Sequence, residues 1–280
     1  MSGFSRHLPA TDRAGRFSSV KALAWLIGLA PAAWLIWTAR TEGFGPKPVT
    51  FVLHTLGDAA VWLLIATLAI TPLRTILRVN AVILARRILG NFALAHALAH
   101  VALFVWSEGM AKAASEVVLR AYLSIGFAAL AMLIALGATS NDAAARRLGA
   151  VGWKRLHRLI YAASALALLH YFLQTKNDVT AALLPAGLFA LLMLWRGLDA
   201  MKLGAHPLAL LALGLVAGVA TAGIEAAWYV WRSGLSPLDV MAQNLDIEDT
   251  LRPPLIVAGV PVDFAAISFF LRRRGRARRP

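Results

Sequence analysis

Apolar positions in this chain do not alternate with polar ones at a strand or surface-helix period. They come in long unbroken runs, separated by short basic or Gly- and Pro-containing stretches. Eight such runs fall at roughly 20–38, 51–72, 87–107, 118–138, 155–175, 179–196, 206–231 and 254–271. Each is close to the ~20 apolar residues that a helix needs to cross a hydrocarbon layer. Only helices and closed barrels satisfy every backbone group in lipid, and runs of this length fit helices. The pattern therefore predicts an all-α membrane protein, a polytopic bundle of about eight transmembrane helices. The last run is the weakest, because it begins Pro253-Pro254 and contains Pro261 and Asp263. It is compatible with a kinked or re-entrant segment as well as a full span. Asp239, Asp246, Glu248 and Asp249 precede it in an acidic stretch that reads either as a solvated outer loop or as a docking surface.

Composition sharpens this picture. Of 280 residues 59% are hydrophobic and only 15% are charged, against about a quarter charged in an ordinary soluble domain. The net charge of +14 raises the question of nucleic acid, but the Lys and Arg stand between the apolar runs, where they set topology. Of the 28 Lys and Arg, 21 fall in the N-terminal tail, the 73–87 and 139–158 loops, the 197 region and the C-terminus. The positive-inside rule then places both termini in the cytoplasm, and an even number of spans agrees. Membrane lipid, and no nucleic acid, is the implied surroundings. The absence of cysteine excludes disulfides, iron–sulfur clusters and thiolate metal sites. Residues 1–19 read as a polar cytoplasmic tail. The first run is followed by Gly43-Phe-Gly-Pro-Lys-Pro48 without a small-x-small cleavage pattern, so it reads as a retained span.

The chemistry that remains is histidine. His100 stands 13 residues after Arg87, about 20 Å of helix rise above the cytoplasmic edge. His170 stands slightly higher on the fifth span, which starts from Lys154 and Arg155. Two imidazoles at matching depth on different helices suit the axial ligands of a b-type haem, because a buried unpaired imidazole in lipid is otherwise hard to justify. The plainer alternative is that each hydrogen-bonds a neighbouring carbonyl. His96 lies one turn below His100 on nearly the same face, so it reads as lining or hydrogen-bonding the pocket, with ligation as the alternative. His54 begins the second span near the same outer level, either as an interfacial residue or beside the haem. His157 lies at the cytoplasmic start of the fifth span, flanked by Arg155 and Arg158. It fits the ligand of a second, inner haem, with only His206 at a similar level. Equally, it fits a donor to a flavin phosphate, a haem propionate or a quinone oxygen. His7 lies in the tail and is given no role.

Other chemistries fit less well. There is no HExxH motif, no carboxylate at zinc-ligand spacing, and no Gly-rich nucleotide loop. Glu225 and Asp263 are the acidic residues set deepest in apolar runs; Glu225 reads as a proton-handling group or as a carboxylate near the outer interface.

Three segments carry a family likeness. Arg86-Arg87-Ile-Leu-Gly90, continuing through Ala95 to His100, resembles the third-helix signature of the MsrQ family. Trp153-Lys-Arg-Leu-His157-Arg-Leu-Ile-Tyr161, continuing to His170-Tyr171 and Lys176, resembles its fifth-helix signature. His54-Thr-Leu-Gly57, with Thr71-Pro72-Leu-Arg74 downstream, is similar as well. The likeness covers about residues 20–200 and extends to the wider ferric-reductase and NADPH-oxidase transmembrane superfamily. It implies a haem b protein of the bacterial inner membrane that takes electrons from the quinone pool and passes them to a periplasmic molybdopterin methionine-sulfoxide reductase, MsrP. It implies FMN as an associated cofactor and His100, His157 and His170 as haem ligands, while His96 departs from the family pattern; Arg87, Arg155, Arg158, His54 and His96 are placed around the cofactors by their own positions in the chain. On this reading the chain divides into a tail (1–19), a haem-binding core (20–200) and an extension with two further spans (201–280). It is an electron-transfer subunit and not the catalytic one, since it has no large extramembrane domain to hold molybdenum. The rival readings are a stand-alone ferric or cupric reductase fed by a cytosolic flavin reductase, and a non-redox transporter or scaffold with structural histidines.

Overall fold

The computed structural model describes residues 10–11, 16–175, 178–245 and 251–277, apart from the side chains at 272 and 274–277. His7, Lys176, Asp246, Glu248 and Asp249 lie outside the described residues. Among those described there is no strand beyond an isolated bridge between Thr11 and Phe17, and the helices run in the order α1 (Ser19–Thr41), α2 (Pro48–Leu77), α3 (Ile83–Glu108), α4 (Met110–Leu119), α5 (Ala121–Ala138), α6 (Asp142–His157), α7 (Leu159–Thr175), α8 (Thr180–Ala200), α9 (Pro207–Ser233), α10 (Pro237–Gln243) and α11 (Pro253–Ala277). Among the described residues, eight helical stretches are long and apolar enough to cross a membrane. They coincide with the eight apolar runs. Their outward faces carry large apolar side chains, such as Leu26, Ile36 and Trp37 on α1 and Val216 and Val219 on α9. A water-facing surface would not tolerate that density of apolar residues, whereas lipid does. The protein is a polytopic helical membrane protein.

Three helices appear where the apolar pattern leaves loops. The 139–158 segment forms α6, capped by the Asn141 side chain on the Ala144 amide at 2.8 Å. It bends at Gly149, whose φ of 66° only glycine adopts without strain. α4 follows α3 directly across Gly109 (φ 80°), and α10 occupies part of the acidic stretch. The last run is one continuous helix through Pro261.

The chain forms two compact units. The first holds residues 1–70 and 81–170. Here α1 lies along α3, with the Trp25 ring edge-on to Phe92 at 5.0 Å, and α3 also meets α4 and α5. Gly28 and Gly137 supply the close approaches: a Cβ on Gly28 would overlap the Phe92 ring, and one on Gly137 would overlap Leu94. Lipid tails are as apolar as leucine, so helices in a bilayer associate through such close packing and not through a hydrophobic driving force.

The second unit holds residues 71–80 and 171–280. Trp195, Leu210, Ala217 and Val257 are buried together, drawing α8, α9 and α11 into one core. Gly214 and Gly218 of α9 face the α11 backbone so closely that a Cβ on Gly214 would fall 2.5 Å from the Ala258 carbonyl oxygen. α8, counted with the core by sequence position, thus packs onto the two C-terminal spans.

Candidate functional site

The first unit brings His100 of α3 and His170 of α7 next to each other. Their ring centroids stand 6.5 Å apart and their planes cross at 85°. Each ring is fixed by the same device. His100 Nδ1 lies 2.8 Å from the carbonyl oxygen of Leu53 on α2, and His170 Nδ1 lies 2.7 Å from that of Tyr122 on α5. Both carbonyls are acceptors only, so each Nδ1 carries the proton and donates it, which leaves Nε2 with a lone pair. No described residue hydrogen-bonds either Nε2. Glycine makes the approach possible on both sides. A Cβ on Gly57 would come within 3.2 Å of His100 Nδ1, and one on Gly126 within 2.9 Å of His170 Nδ1. The Nδ1 edge of each ring thus rests against a neighbouring helix backbone.

The carbonyl bond weighed from sequence as the plainer alternative is therefore present, but it engages only one nitrogen of each ring. It is also the bond by which metal-ligating histidines are normally oriented. Two metal–nitrogen bonds of about 2 Å each, plus the near half of each ring, span about 6 Å. The observed 6.5 Å separation fits a single iron between the two rings. Among the described residues no three His, Asp or Glu cluster as a metal site.

His96, one turn below, is buried, and its Nε2 lies 2.9 Å from the carbonyl oxygen of Gly28. It ties α3 to α1 in the manner of a hydrogen-bonding residue. His54 is exposed on α2, near enough to His100 to act on it electrostatically, as is Asp58.

A second cluster gathers at the basic end of this unit. His157 is the last residue of α6, one residue short of α7, and α7 then rises about 20 Å to His170. Its Nε2 meets Thr139 Oγ1 at 3.2 Å, and Trp153 stacks on its ring at 3.8 Å while donating its indole N–H to the Thr139 carbonyl at 3.0 Å. Arg86 and Arg87 lie close enough to His157 to act on its charge. Arg87 donates to the Ser140 carbonyl and pairs with Asp142 at 3.1 Å, so it fastens the start of α3 to the start of α6. Arg155 and Arg158 are exposed and form no ion pair with any described residue. His206 stands at the N-cap position of α9 in the second unit, with no side-chain capping bond. Sequence reasoning found the histidine pair by depth. It missed Leu53, Tyr122, Gly126 and Thr139, whose backbone or small side chains leave no periodic signal; an isolated glycine inside an apolar run is the one cue Gly126 offers.

The chain matches the family model described as "ferric reductase like transmembrane component" over residues 56–168, all of which except 71–80 belong to the first unit. It is 34% identical over 183 residues to the protein-methionine-sulfoxide reductase heme-binding subunit MsrQ of Polaromonas naphthalenivorans, covering 64% of this chain and 84% of that protein. The proteins of the same name from Bordetella pertussis and Caulobacter vibrioides are 36% and 34% identical, covering 67% and 63% of this chain and 92% and 86% of theirs. About a third of this chain therefore lies outside each match. No solved structure matches the chain.

Proposed function

The chain belongs to the MsrQ family and has a membrane electron-transfer role. From that premise we propose that it is the haem b subunit of a bacterial inner-membrane system, with both termini in the cytoplasm. It takes electrons from the quinone pool and delivers them to a periplasmic methionine-sulfoxide reductase of the MsrP kind, in support of repair of oxidised periplasmic proteins. The adjacent pair His100 and His170 carries this reading, because each presents Nε2 while a backbone carbonyl holds its Nδ1. These two residues would hold the haem, which supplies a one-electron couple inside the bilayer. The protein's part is to hold the ligand tautomers fixed, keep the site at low dielectric, and set ligand basicity through the Leu53 and Tyr122 carbonyls.

At the basic end, Arg155 and Arg158 are free to receive an anion, and His157 is oriented by Thr139 and Trp153. We assign this cluster to the phosphate of FMN or a haem propionate, with Arg87 as its fastening to α3. His157 is occupied at Nε2 and on one face, which favours positioning over ligation of a second haem.

The purified protein tests the central claim directly. A reduced-minus-oxidised spectrum should show low-spin b-type bands, and His100→Ala or His170→Ala should abolish them while the protein still inserts. Full haem retention in both variants overturns the assignment. Reduction by a quinol without a soluble reductase is expected. Dependence on an added flavin reductase would favour the ferric or cupric reductase reading.

A further inference from the structure

The second unit closes one end around a cavity of about 250 Å³, with Glu225, Tyr229, Asn244 and Arg252 among its polar lining and Leu235 and Val240 on its apolar wall. Glu225 is more than nine-tenths buried on a span that is otherwise apolar. Its Oε2 accepts from Asn244 Nδ2 at 2.6 Å, and Asn244 is itself buried and anchored to the Val240 carbonyl at 3.1 Å. The carboxyl group is therefore held in place by a neutral amide and lines the cavity with no ion pair to any described residue. Arg252 lines the same cavity, yet no ion pair joins it to Glu225 among the described residues. An acid and a guanidinium thus stand on one small cavity, unbridged by each other.

Ionisable groups at this depth are retained where something pairs with them. A ligand that satisfies both walls carries an N–H cation for Glu225 and, a few atoms away, an anion that a guanidinium fork can bind. The location narrows the choice. The cavity sits where α8 begins at Thr180, α9 ends at Ser233 and α11 begins at Pro253, which is where three spans reach head-group level. We propose that this cavity binds a phospholipid head group carrying a primary ammonium, of the phosphatidylethanolamine type. The ammonium donates to Glu225 and the phosphodiester accepts from Arg252. A trimethylated choline head group has no N–H to donate and binds more weakly.

The test uses full-length protein, delipidated in detergent, with binding of added lipid read by native mass spectrometry. One phosphatidylethanolamine per chain should be retained, with phosphatidylcholine weaker by about tenfold or more, the scale of one hydrogen bond to a charged group. Glu225→Gln keeps the side-chain shape and the Asn244 bond and should erase the preference between the two lipids. Arg252→Gln, at a half-buried position, should weaken both lipids alike, and it keeps the test open if the glutamine variant misfolds. An unaltered melting profile would show that each variant is folded. Equal binding of the two lipids by the parent protein, or a preference that survives Glu225→Gln, overturns the proposal. So does tighter binding of soluble phosphoethanolamine than of the lipid, or displacement of the lipid by an equal concentration of quinol.

Discussion

Gly126 decides how near His170 can stand to the α5 backbone. A methyl group there would lie 2.9 Å from Nδ1, closer than carbon and nitrogen tolerate, so the ring must swing and its bond to the Tyr122 carbonyl must lengthen. Overpacking of this kind costs about 1–3 kcal/mol. Gly126→Ala should therefore lower haem retention, and Gly57→Ala, with 3.2 Å at the equivalent contact, should lower it less. Haem per protein after identical purification checks the order; equal or reversed losses would contradict it. At this scale the sequence made the histidines legible, because a polar ring at lipid depth stands out against Leu and Ala. The carbonyls that orient them were not legible, since any residue has one and only the fold says which is near. His96 shows the same limit: its position was plain, but its partner is a glycine carbonyl 68 residues away on α1.

α6 is the longest of the three helices that the apolar pattern read as loops. Its sequence Asp142-Ala-Ala-Ala-Arg-Arg-Leu-Gly is rich in strong helix formers, but it is too polar to register in a search for spans. The consequence is that His157 ends an interfacial helix whose own Trp153 covers its ring. This bears on what removing it would do. His157→Ala should leave haem content near the parent level while slowing quinol-driven haem reduction, because the lost group orients an anion site. A discrete fractional loss of haem would instead make it a ligand of a second haem, and no change in either quantity would leave it structural. α11 shows the opposite lesson. Its prolines and Asp263 suggested a kinked or re-entrant segment, yet one helix runs through Pro261, and Gly214 of α9 lies against the same stretch, with a Cβ there 3.4 Å from Pro261 Cδ. In lipid, close packing by a neighbouring helix is what makes an internal proline tolerable.

At the scale of the whole molecule, eight apolar runs became eight span-length helices, because run length is a direct physical requirement of the bilayer. The grouping of those helices was not legible. α8 belongs by family likeness with the preceding spans, but Trp195 and Leu191 bury it against α9 and α11. Side-chain fit between helices distant in sequence leaves no trace in hydropathy. Orientation rests on the charge bias alone, and reporter fusions address it. Fusions at Asn141 and after Pro280 should report cytoplasm, and fusions at Ala113 and Asp246 should report periplasm. A periplasmic C-terminus would mean that α11 does not cross.

The 85° crossing of the His100 and His170 rings has a magnetic consequence. An imidazole donates π density into whichever iron orbital lies perpendicular to its plane. Parallel rings raise one of the two such orbitals above the other, whereas crossed rings raise both alike. An iron held between these two side chains should keep the pair nearly degenerate and retain much of its orbital moment. The ferric protein, frozen and examined by electron paramagnetic resonance, should then give one strongly shifted, highly anisotropic low-spin feature. A well-resolved three-line rhombic spectrum would mean that the rings turn parallel when the iron is bound.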